Sequence, residues 1–182
     1  MKATGIVRRI DELGRVVIPK EIRRTFRIKD GTPLEIFCGD GGELVLKKYS
    51  MLEDLKNYAD EICKAIHSTL NVPTLICDNE KVLSCYGNSK SNLQNKEISK
   101  DVEKIIEQRK EMIKNKSNGD ILVKVLNDDD DYEYYAQMFV PILSGGDVFG
   151  CIICYTKEQT KFVENQCLVL KAMVNLLSEQ IA

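Results

Sequence analysis

The chain has no tryptophan, one histidine, four prolines and 7% aromatic residues in 182. With a single histidine and no nucleophile near it in the pattern, no histidine-based triad can be built. That residue, His67, falls on the polar side of a helical pattern with no nucleophile or second ligand near it, so a surface position is expected. No apolar run approaches the roughly 18 residues that would predict a membrane-spanning helix. Met1-Lys2 leads into polar–apolar alternation, so no signal peptide is expected. The phosphate-cradling pattern G-x-x-x-x-G-K-[ST] is missing. Asn127-Asp128-Asp129-Asp130-Asp131 lacks the alternate spacing and distal glutamate of a calcium loop and reads as a solvated loop. The seven cysteines are an odd number without framework spacing, which suits a reducing cytoplasm. Cys151 and Cys154 form a C-x-x-C, but on a strand residues three apart point to opposite faces. They read, with Cys77 and Cys85, as small buried hydrophobes. No catalytic residue, cofactor or metal site is expected.

What the sequence does have is charge, unevenly placed. The formal net charge of −2 divides into +4 for residues 1–50 (11 cations, 7 acids) and −6 for residues 51–182 (15 cations, 21 acids). Residues 1–29 alone hold 9 cations against 3 acids. A basic head on an acidic body fits nucleic-acid binding by the head, with the body repelling DNA.

The head centres on Gly14–Arg24, GRVVIPKEIRR. Val16, Val17 and Ile18 predict a strand, and Pro19 suits the first position of a helix, where its missing N–H has no partner to lose. Ile18, Ile22 and Phe26 make one apolar stripe, which leaves Lys20, Arg23, Arg24 and Arg27 facing outward. Residues 3–10 read as a strand that turns at Asp11–Gly14. Leu34–Cys38 and Glu43–Tyr49 read as a hairpin around Gly39-Asp40-Gly41-Gly42. Four short strands and one helix in about fifty residues bury little surface, so this unit is expected to share its core with a second copy.

ATGIVRRIDELGRVVIPKEIRRTFRI, followed by PLEIF and ELVLKKY, resembles the AbrB-type swapped-hairpin DNA-binding domain of bacterial transition-state regulators. The resemblance implies a β-barrel formed by two interleaved chains. It also implies DNA contacts from arginines on the first strand, the following loop and the helix. Position by position these are Arg8, Arg15, Arg23 and Arg24, with Lys2, Arg9, Lys20 and Arg27 as weaker candidates. Arg9 is weaker because it points away from Arg8 in a regular strand. The longer chain resembles those members in which a GAF-like domain follows the head, regulators that activate and repress sporulation genes.

Ser50-Met51-Leu52-Glu53 has the form of a capping box opening a helix at residue 51. Its three-four apolar repeat through Leu70 suits a helix that packs on the sheet of its own domain and also forms a seam carrying the head's two-fold pairing into the body. Beyond it, 74–78 and 81–87 read as strands and 99–114 as an amphipathic helix. Residues 121–126 and 132–143 read as strands, the latter interrupted at Pro141, and VFGCIICYT as a buried central strand. Residues 160–182 read as a final helix apolar on more than one side, wide enough for its own sheet and another subunit. The expectation is an α+β chain: residues 1–50 a DNA-binding domain, 51–70 a connecting and dimerisation helix, and 71–182 a GAF-like regulatory and oligomerisation domain. Head dimers would join through the body helices into a homotetramer in the cytoplasm, with a small-molecule effector left open. An antitoxin-like protein that binds DNA and a toxin is the alternative, because related heads occur there. A redox or nucleotide enzyme in the body would rest on the C-x-x-C and on fold analogy.

Overall fold

The structure, a computed structural model, describes residues 5–49, 52, 55–87, 93–128 and 133–181. It divides into two compact units, Met1–Tyr49 and Ser50–Ala182. The capping box at Ser50, the helix start at residue 51, Lys2 and Asp129–Asp131 lie outside the described residues.

The head contains α1 (Lys20–Thr25) and an antiparallel hairpin of β1 (Leu34–Cys38) and β2 (Leu44–Lys48), in register from Leu34↔Lys48 to Cys38↔Leu44. The hairpin is as the sequence predicts. The two strands expected before α1 are not: residues 5–10 and 16–18 form no ladder. They flank a turn, where the Asp11 N–H donates to the Arg15 carbonyl at 3.0 Å. A strand is a hydrogen-bonded ladder, and among the described residues these segments do not form one. Among the described residues of the head none is buried, and Val7 (85% exposed), Leu13 (73%) and Val17 (71%) stand in solvent.

The second unit is a five-stranded, wholly antiparallel sheet. Its strands are β3 (Thr74–Cys77), β4 (Val82–Tyr86), β5 (Met112–Asn115), β6 (Ala136–Ser144) and β7 (Asp147–Thr156), in the order β4-β3-β7-β6-β5. Alternation divides their side chains between two core layers. Ile76, Met138 and Ile152 face one layer, with α2 (Lys56–Leu70) and α4 (Glu164–Ile181) packed on it. Leu75, Phe139 and Ile153 face the other, covered by Val102, Ile105 and Ile106 of α3 (Lys100–Glu107). Central β7 is therefore buried on both sides, which is why it reads as one continuous apolar run. Where β7 passes β3, Gly150 is required: a Cβ there would fall 2.0 Å from the Cys77 carbonyl oxygen.

Three further expectations are corrected. The helix over 99–114 ends at Glu107; Arg109 takes φ +55°, and Met112 and Ile113 leave on β5 opposite Phe139 and Met138. Residues 121–126 join no strand ladder beyond an isolated bridge between Leu126 and Ile98. Instead the buried Gln137 amide donates to the Val123 carbonyl at 2.7 Å and accepts the Val123 N–H at 2.9 Å, as a neighbouring backbone would. Finally, β6 runs through Pro141 without a break, because pairing with β5 has ended at Phe139 and a missing N–H is tolerated there.

Candidate nucleic-acid interface

The cationic surface of the head is built on one turn and one short helix. Asp11 organises the turn: its Oδ1 accepts the backbone N–H of Leu13 (3.0 Å) and of Arg15 (2.8 Å). Gly14, at φ +75°, donates its N–H to the Asp11 carbonyl at 2.9 Å. The second carboxylate oxygen, Oδ2, accepts Arg15 Nε at 2.8 Å. These bonds, the Arg15 backbone N–H first, hold the Asp11 carboxyl below its ordinary value. The Arg15 side chain remains 70% exposed.

Helix α1 begins one residue later than expected. Pro19 occupies the cap (φ −59°, ψ 150°), not the first helical position, and its carbonyl accepts the Arg23 N–H at 2.9 Å. The helix closes in a Schellman motif: the Ile28 N–H donates to Arg23 O (2.7 Å) and the Arg27 N–H to Arg24 O (3.3 Å). Arg27 supplies the left-handed residue of that motif at φ +51°.

The sequence-predicted site residues fall in three settings. Arg8, Arg9, Lys20, Arg24 and Arg27 are exposed. Among the described residues no carboxylate pairs with Arg8, Arg9 or Arg24. Arg23 departs from the outward-facing expectation: it is half-buried, its Nη1 donates to Asp30 Oδ1 at 2.9 Å, and its Nε is enclosed without a partner. Two acids that the sequence reading passed over, Asp11 and Asp30, thus hold two of the four principal arginines. Asp11 had a signal, its place at the start of an Asp-x-x-Gly-Arg turn; Asp30 had none, since its partner lies across the helix end.

In the body, His67 is not the free surface residue expected. It is half-buried, donates Nδ1–H to the Val72 carbonyl at 2.8 Å, and packs edge-on to Tyr86 at 5.1 Å. It borders a cleft of about 840 Å³ that is also lined by Lys96, Tyr134, Tyr155, Lys157 and Gln166. No sequence spacing marks this cleft, because its lining comes from segments far apart in the chain. Cys151 and Cys154 are buried in opposite core layers, so they do not face one another. Burial pushes the Cys154 thiol up to about 12 and the Cys151 thiol well above its ordinary value, which keeps both protonated at neutral pH.

A cationic turn-and-helix head followed by a GAF-like α+β body defines a two-part transcription regulator. Residues 54–182 match the family model described as stage V sporulation protein T C-terminal, transcription factor. The chain belongs to the stage V sporulation protein T family. It is 44% identical over 160 residues to stage V sporulation protein T of Bacillus subtilis, covering 88% of both chains. Over 49 residues it is 59% identical to the transition state regulatory protein AbrB of the same organism, covering 27% of this chain and 50% of that one. Residues 7–54 also match the model described as antidote-toxin recognition MazE, bacterial antitoxin. The body shares its fold with the GAF domain of Acinetobacter phosphoenolpyruvate-protein phosphotransferase. That likeness has a TM-score of 0.57 at 14% identity, over 73% of this chain and 82% of that one. No helix among the described residues is long and apolar enough to cross a membrane.

Proposed function

We propose that this chain is a cytoplasmic regulator that binds duplex DNA through paired heads, activating some sporulation genes and repressing others, and performs no catalysis. The observation that carries this reading is the exposed set of guanidinium groups on the Asp11 turn and α1, with no carboxylate among the described residues on Arg8, Arg9 or Arg24. Arg8, Arg15, Arg23 and Arg24 contact phosphates and base edges, where the planar fork of arginine suits guanine. Lys2, Arg9, Lys20 and Arg27 add charge. Residues 1–50 are the DNA-binding domain, 51–70 the connecting helix and 71–182 the regulatory domain.

Pairing of the heads is supported by their uncovered apolar residues: two chains can bury Val7, Leu13 and Val17 between them. The body supports a second contact, through Leu168, Ala172 and Leu176 exposed at four-residue intervals along α4. The cleft beside His67 gives the body room for a small-molecule effector. The antitoxin reading draws on the match of residues 7–54, but the residues that follow fold into a five-stranded domain and not a toxin-wrapping tail.

DNA affinity against salt tests the reading, measured by fluorescence anisotropy on wild type and on the Arg15→Ala, Arg23→Ala double variant. Counterion release makes log K fall with log salt at about −0.9 per phosphate neutralised. A steep wild-type slope, flattened by about two contacts in the variant, is expected. Weak binding by both, equally insensitive to salt, would overturn it.

A further inference from the structure

We propose that Asp11 is a positioning residue for Arg15, setting the angle at which its guanidinium meets DNA and so the chain's preference among DNA sequences. The inference rests on the DNA-binding reading above.

An acid beside a phosphate-binding surface repels the ligand, so attraction does not account for Asp11. Its hydrogen bonds do. One carboxylate fixes both ends of Arg15: Oδ1 takes the backbone N–H at 2.8 Å and Oδ2 takes Nε at 2.8 Å. The guanidinium is a rigid planar fork with five donors. Committing Nε to Asp11 fixes the plane of the group and leaves the terminal nitrogens to make paired bonds outward. A long side chain braced in this way loses less freedom on binding, and the bonds it makes become more dependent on geometry.

The turn alone does not require a carboxylate. Oδ1 already accepts the Leu13 and Arg15 N–H groups, and the oxygen of an asparagine could do the same. Only the second oxygen distinguishes aspartate, and that oxygen is on Arg15. The Arg23–Asp30 pair is looser by comparison. It has one bond through Nη1, and Asp30 is almost wholly exposed.

The test uses the full-length chain and two duplexes of equal length: one enriched by the wild-type chain from a randomised pool, and one of random sequence. The readout is the ratio of the two affinities at a fixed salt concentration. Asp11→Asn is expected to bind the random duplex as tightly as wild type or more so, while the ratio falls about tenfold, the scale of one well-placed base contact. In an Arg15→Ala background the same change leaves the ratio unmoved. Asp40→Asn, an equal change of charge at the β1–β2 turn, also leaves it unmoved. Asp11→Glu, which keeps the charge but displaces the carboxylate, lowers the ratio without raising affinity for the random duplex, and it replaces Asp11→Asn if that variant does not fold.

An unchanged ratio in Asp11→Asn overturns the proposal. So does an equal fall in the Arg15→Ala background, which would make Asp11 only a shaper of the turn. A wild type that binds DNA without preference also overturns it. A wild type that binds neither duplex would instead overturn the DNA-binding reading itself.

Discussion

Arg27 holds a backbone conformation that glycine usually supplies. At φ +51° it is the left-handed closing residue of the α1 Schellman motif, where a side chain costs about 1 kcal/mol. Such a residue persists when its side chain has a use, and here the side chain is an exposed cation beside Arg23 and Arg24. Arg27→Gly is therefore expected to move stability and binding in opposite directions. Thermal melting should show the head equally or more stable, by about 1 kcal/mol, while DNA affinity falls uniformly across sequences with a salt slope shallower by about one contact. A variant that lost stability would show that the Arg27 side chain supports the fold and not the DNA surface. The periodicity of α1 identified Arg27 as outward-facing; it could not show the strain, which depends on where the helix stops.

Between the sheet and its outer segments, side-chain amides replace strands. Gln137 on β6 clamps Val123 through both backbone groups, and Asn115 on β5 does the same to Phe162, donating to its carbonyl at 3.0 Å and accepting its N–H at 2.8 Å. Gln137 and Asn115 are buried, so each clamp satisfies polar groups that would otherwise be stranded. Gln137→Leu keeps the volume but frees both Val123 groups. It is expected to cost about 2 kcal/mol, lowering the melting temperature of the body by about 4–8 °C. Hydrogen exchange should then quicken at residues 121–125 ahead of β6 and β7. Uniform quickening would mean that the amide supports the whole sheet. An amide in an otherwise apolar strand was visible in the sequence, but its partner 14 residues away was not. The 121–126 segment has the composition of a strand, and only the geometry shows that its neighbour is a side chain.

At the scale of the whole molecule, the two units differ in how complete they are. The body closes two core layers around its own sheet, whereas no described residue of the head is buried. With the proposed head pairing and a second contact along α4, light scattering is expected to give four times the 20.7 kDa of one chain. Leu168→Glu with Leu176→Glu places two charges on the exposed α4 face, 57% and 39% exposed in one chain, and should halve that mass with the body still folded. A wild-type chain measured as a single copy would remove both contacts.

The sequence by itself determined what depends on local chemistry. The Gly14–Arg24 stretch specifies a turn and a cationic helix, the β1–β2 hairpin follows from its glycines, and the run VFGCIICYT announces a strand buried on both sides. The charge division between head and body was equally plain, since formal charge needs no coordinates. Tertiary structure decided what depends on partners distant in sequence. It ended α3 before Met112, carried β6 through Pro141, moved His67 from the surface to the edge of a cleft, and placed Asp11 and Asp30 on two of the arginines. The segments at 5–10 and 16–18 mark the limit between the two. Their pattern is that of strands, but a strand needs a laddered neighbour, and among the described residues they form no ladder.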